Sequence, residues 1–136
     1  MKSLLVLTLF WVAFTALFAL MQGFLIPALR RTPLGKEANL HDFALHKLGF
    51  IVWIMPVLFL PNWLHLVVAL VVRVVFFDIA LNIGAGDPVF YVGKTAKTDK
   101  VLQSIAAKTR LTPDTLSVFI KLLFFLLLCV GLYLFN

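Results

Sequence analysis

The residues best equipped for chemistry in this chain are Arg73, Asp78 and Asn82, because they interrupt a long apolar run, from Trp63 to Ile83, with two charges and an amide. As a helix, that run would carry Arg73 about ten residues, or ~15 Å, from its start, close to the middle of a lipid bilayer. A lone charge there is penalised by about 2.5 to 3.5 kcal/mol on insertion scales, so it must face protein, water or an acid. Asp78 is the obvious acid. Five residues along an α-helix turn the two by about 140°, so they meet only through the length of the arginine side chain. An acid on another helix or another subunit would serve equally. Asp78 and Asn82, four apart, share one helical face. Two readings follow: a polar track for an ion or proton, or a structural pair that sets the rotation of the helix.

His41, Asp42 and His46 form a second polar cluster, with Glu37, Asp78, Asn82 and Asp87 expected at similar depth. Asp42 and His46 are four apart and could face one metal ion or one acid. His41 and His46 are five apart and splay off one face, and the third histidine, His65, belongs to the opposite membrane surface. The spacing therefore favours ordinary solvated interface residues, and neither a metal nor a cofactor is expected. Gly93-Lys94-Thr95 ends like a phosphate-binding loop, but Pro88 stands where that loop needs its first glycine. Gly84-x-Gly86 has no third glycine and reads as a helix stop. The single cysteine, Cys129, has no partner for an intrachain disulfide. No serine–histidine–acid, acyl-transfer, phosphotransfer or redox arrangement stands out, so no catalytic residue is assigned.

Thr8, Thr15 and Gln22 recur every seven residues and line one stripe of a helix, flanked by Ala16, Ala19 and Gly23. Ala19-x-x-x-Gly23 is a small-xxx-small pair that permits close helix approach, so the stripe is read as a packing surface.

The elements that must position these residues follow from composition. Of 136 residues, 62% are hydrophobic and only 13% charged, against roughly a quarter charged in soluble domains. The chain is read as a single all-α integral membrane domain, residues 1–136, with no room for a separate soluble catalytic domain. Four transmembrane helices are expected, over approximately residues 4–26, 43–60, 63–83 and 115–135. The first is preceded by Lys2, but its apolar run from Leu4 to Ile26 exceeds the roughly 7 to 15 residues of a signal core, and no A-x-A site follows it. Pro56 should kink the second span. Between the third and fourth, residues 98–110 place Val101, Leu102, Ile105 and Ala106 on one face. That pattern predicts an interfacial amphipathic helix, with Lys97, Lys100, Lys108 and Arg110 meeting anionic headgroups. Thr112-Pro113-Asp114 reads as the start of the last helix.

A net charge of +6 would raise nucleic acid as a partner in a soluble chain, but here the basic residues flank apolar spans, so the bilayer is the expected partner. Arg30, Arg31, Lys36 and Lys47 lie in one long loop, and Lys94, Lys97, Lys100, Lys108 and Arg110 in the other. The positive-inside rule puts both loops in the cytoplasm and both termini outside, in a bacterial-type inner membrane. The leading functional expectation is a non-enzymatic bundle subunit that forms a homo-oligomer or joins a membrane complex. A channel, holin-like pore or transporter built on Arg73, Asp78 and Asn82 is the alternative. A lipid-acting enzyme using Asp42, His46 and Asp78 is a third.

Overall fold

A computed structural model describes residues 2–30, 47–59, 63–93 and 97–135. Among the described residues every regular element is a helix. Helix α1 is Lys2–Arg30, α2 is Gly49–Leu58, α3 is Trp63–Ala85, α4 is Lys97–Thr109 and α5 is Pro113–Phe135. Three of them, α1, α3 and α5, are long and apolar enough to cross a membrane, which suggests a membrane location.

The second apolar block is described only in part. Helix α2 has ten residues, or ~15 Å, about half the hydrocarbon thickness. It contains Pro56, which has no N–H to donate, and it closes at Leu58 with the Phe59 N–H donating to the Pro56 carbonyl at 3.3 Å. Residues 41–46 and 60–62, which a longer span would include, lie outside the described residues.

Helix α3 carries one π turn, Arg73–Phe77, between two α-helical stretches. Its end is a Schellman motif: Gly86 has φ 76°, Asp87 N–H donates to the Asn82 carbonyl at 2.9 Å, and Gly86 N–H donates to that of Ile83 at 3.2 Å. Only a residue tolerant of the left-handed region closes a helix this way. Gly84, which the sequence groups with Gly86 as a stop, is instead inside the helix and buried. Its role is contact. A Cβ added there would stand 2.6 Å from the Leu20 carbonyl oxygen, and one at Gly23 would run into the Leu81 carbonyl. Lipid provides no hydrophobic drive for helix pairing, so the missing side chains let van der Waals contact hold α1 to α3.

These contacts also set direction. Gly23 meets the end of α3, while Trp11 packs with Val68, Ala69 and Val72 nearer its start, so α1 and α3 run parallel. Helix α2 runs against α1, with Gly49 beside Gln22 and Trp53 beside Thr15 and Trp11. Helix α5 runs against α3: Lys121 meets Asp78, Phe125 meets Phe76 edge-on at 6.5 Å, and Leu128 and Leu132 reach the cluster around Val72. Thr112 opens α5, its Oγ1 accepting the Thr115 N–H at 3.2 Å.

Candidate functional site

The polar residues of α3 look to different neighbours. Arg73 begins the π turn, and its guanidinium lies 3.9 Å from the ring centre of Phe77, 4.7 Å from Trp53 and 5.0 Å from Phe50. The face of each ring is electron-rich, and out of water such contacts reach about 2 kcal/mol. Trp53 is fixed in turn: it is fully buried, its Nε1–H donates to Thr15 Oγ1 at 3.0 Å, and it packs on Trp11 with ring centres 5.5 Å apart. Nη1 of Arg73 is buried without a hydrogen-bond partner. The cation near mid-helix thus lies among aromatic faces on α2 and α3, with the charge of Asp78 also acting on it.

Asp78 closes the π turn and pairs elsewhere. Its Oδ2 accepts from Lys121 Nζ on α5 at 3.2 Å, and the same Nζ donates to Ser117 Oγ at 2.7 Å. The Lys121 side chain is 9% exposed and that of Asp78 is 55% exposed. The two are level by construction. Asp78 is seven residues from the end of α3 and Lys121 eight from the start of the antiparallel α5, so each lies about 10 to 12 Å inside its helix end. Lys121 is the charged residue that the sequence reading passed over. The signal was available, since a charge inside an apolar span marks Lys121 just as it marks Arg73.

Asn82 is buried, and its Nδ2 donates to the carbonyls of Val89 and Tyr91 at 3.1 and 3.0 Å. It therefore holds the loop that follows α3. Asp114 Oδ1 accepts the Val92 N–H at 3.1 Å and Gln103 Nε2 donates to the Gly93 carbonyl at 2.7 Å, tying that loop to α5 and α4. Asp87 lies half-buried in this loop. The remaining members of its expected cluster, His41, Asp42 and His46, lie outside the described residues. Among the described residues no group of three histidine, cysteine or acidic side chains could hold a metal.

Thr8, Thr15, Ala19, Gln22 and Gly23 are all buried. Thr15 serves Trp53, Gln22 lies against Gly49, and Thr8 Oγ1 has no hydrogen-bond partner. On α4 and just after it, Lys100, Lys108 and Arg110 are exposed, and so are Val101 and Ile105; the side chain of Lys97 is outside the described set. Arg110 takes a left-handed φ of 60° in the turn to α5.

Comparison with known proteins finds no matching family model, no similar curated protein and no similar solved structure.

Proposed function

We propose that this chain is a non-enzymatic membrane subunit, a helical bundle that crosses the bilayer four times and associates with itself or within a larger membrane complex. The observation that carries this reading is the use made of the intramembrane polar groups. Lys121 and Asp78 join α5 to α3, Trp53 and Thr15 join α2 to α1, and Asn82 holds the loop after α3. Groups spent on joining elements are those of a scaffold. An ion or proton path through Arg73, Asp78 and Asn82 is less well supported, because Arg73 is packed among rings and Asn82 is engaged by the loop.

Four passes are supported by direction. Since α1 and α3 run parallel, the chain between them must return across the thickness they share, and α2 runs the required way beside Gln22 and Thr15. An interfacial position for α4 is supported by exposed Val101 and Ile105 beside exposed Lys100, Lys108 and Arg110. Anionic headgroups are the partner such a face fits. With the basic loops on the cytoplasmic side, both termini lie outside a bacterial-type inner membrane.

Purification in mild detergent followed by native mass measurement and liposome reconstitution tests this. A mass at a multiple of 15.3 kDa, or a stable complex with other membrane proteins, is expected, with retained anionic lipid and ion flux no greater than in empty liposomes. Flux that disappears in Asp78→Asn while assembly persists would replace the subunit by a transporter.

A further inference from the structure

Among the described residues, three charges stand at least seven residues inside the ends of α1, α3 and α5: Arg73, Asp78 and Lys121. They sum to +1. One carboxylate serves two cations, since the charge of Asp78 acts on Arg73 while its hydrogen bond is made with Lys121. Lys121 is enclosed and donates to Ser117 as well, so the surplus charge resides at Arg73. Nη1 of Arg73 is covered without a hydrogen-bond partner. Rings attract a guanidinium, but they give its N–H bonds no oxygen to meet. The site also has an open side: Arg73 is only half-buried, and of its three rings Trp53 and Phe77 are buried while Phe50 is 39% exposed. Ile51, Val52 and Met55 continue that apolar surface along α2.

We infer that Arg73 and its three rings bind the carboxylate of a long-chain fatty acid, whose alkyl chain lies in lipid against the exposed face of α2. Depth selects this chemistry. Arg73 is about 15 Å or more from either end of α3, where lipid tails exclude a free anion and a phosphodiester keeps its charge. A carboxylic acid reaches that depth in its neutral form, because an ionisable group in apolar surroundings sheds its charge. Beside a fixed cation the carboxylate is favoured again, and the proton passes to water at the membrane surface. A planar guanidinium matches a carboxylate through two parallel N–H···O bonds. One bound anion brings the sum of the three intramembrane charges and its own to zero. The inference is independent of the self-association proposed above.

Quenching of tryptophan fluorescence by brominated lipid tests it. Trp53 borders the guanidinium and Trp11 packs on Trp53, whereas Trp63 is 75% exposed, so a Trp63→Phe background removes the signal that any lipid would quench. In that protein, reconstituted in phosphatidylcholine vesicles, dibrominated stearic acid should quench with saturation and bind about tenfold more tightly than its methyl ester. Unbrominated stearic acid should reverse the effect. Arg73→Gln should lower the acid to the level of the ester, and Arg73→Lys, which keeps the charge without the fork, should retain part of the difference. If Arg73→Gln does not fold, the comparison of acid with ester on the Trp63→Phe protein decides alone. Equal quenching by acid and ester overturns the site, as does an acid preference that survives Arg73→Gln with helix content intact. Quenching by brominated phosphatidylglycerol as strong as by the acid assigns the anion to a phospholipid headgroup and overturns the fatty acid.

Discussion

Arg73 and Lys121 are two cations in apolar helices, stabilised by different means. Arg73 spreads its charge over a planar group that three rings can face, while the compact ammonium of Lys121 needs oxygen and takes it from Asp78 and Ser117. Removing one partner of a covered pair leaves the other unsatisfied, and that residue carries most of the cost. Because Asp78 is half open, the cost is at the lower end for charged hydrogen bonds, roughly 2 kcal/mol. Lys121→Met is therefore expected to lower the thermal midpoint in detergent, and Lys121→Met with Asp78→Asn to recover part of the loss. A double variant no more stable than the single would mean that the pair is not coupled. The sequence shows each charge but not its partner: Arg73, Asp78 and Lys121 are all visible interruptions of apolar runs, and spacing alone pairs Arg73 with the nearest acid. The hydrogen bond between Asp78 and Lys121 on the antiparallel α5 adds a partner that spacing cannot show.

At the scale of elements, the crossing of α1 and α3 brings two backbones into close contact, and Gly84 and Gly23 make it possible. Gly84→Val would drive methyl groups against the Leu20 backbone, which cannot move aside as a flexible side chain could, so a loss of about 2 kcal/mol or more is expected. Gly131 in α5 is the control, since a Cβ there meets nothing within 4 Å. Gly131→Val should keep the midpoint and oligomer mass of the unmutated protein, and equal effects at both glycines would exclude the close crossing as the cause. The small-residue pair Ala19 and Gly23 is legible as a packing motif because its spacing is local. Its counterpart, Ala80 and Gly84, was hidden by the Gly-Ala-Gly run that looks like a stop. A helix end depends on which glycine takes a positive φ, and that is set by the Schellman hydrogen bonds of Gly86 and Asp87.

For the whole molecule, direction and charge together specify topology. Since α1 runs parallel to α3 and α5 antiparallel to it, the start of α1 and the end of α5 lie at the same side of the bundle. The side is our proposal from charge: with nine Lys and Arg in the two basic loops, those loops would face the cytoplasm. A reporter fused after Asn136 should be active only when it functions outside the cytoplasm. A cytoplasmic reporter signal would reverse the topology while leaving the internal packing intact.

Composition by itself pointed to a membrane location and to helices, because long apolar runs in lipid must satisfy every backbone group within the segment. Capping residues near Thr112 and Gly86 marked helix ends, since capping is a local matter of side-chain oxygens and φ. Which helices touch, and through which residues, was decided only in three dimensions. Asp78 meets Lys121 across 43 residues of sequence, and Trp53 meets Thr15 across 38. Pairings so distant depend on the parallel course of α1 and α3 and on the rotation that the π turn imposes, neither of which periodicity along one strand of sequence can encode.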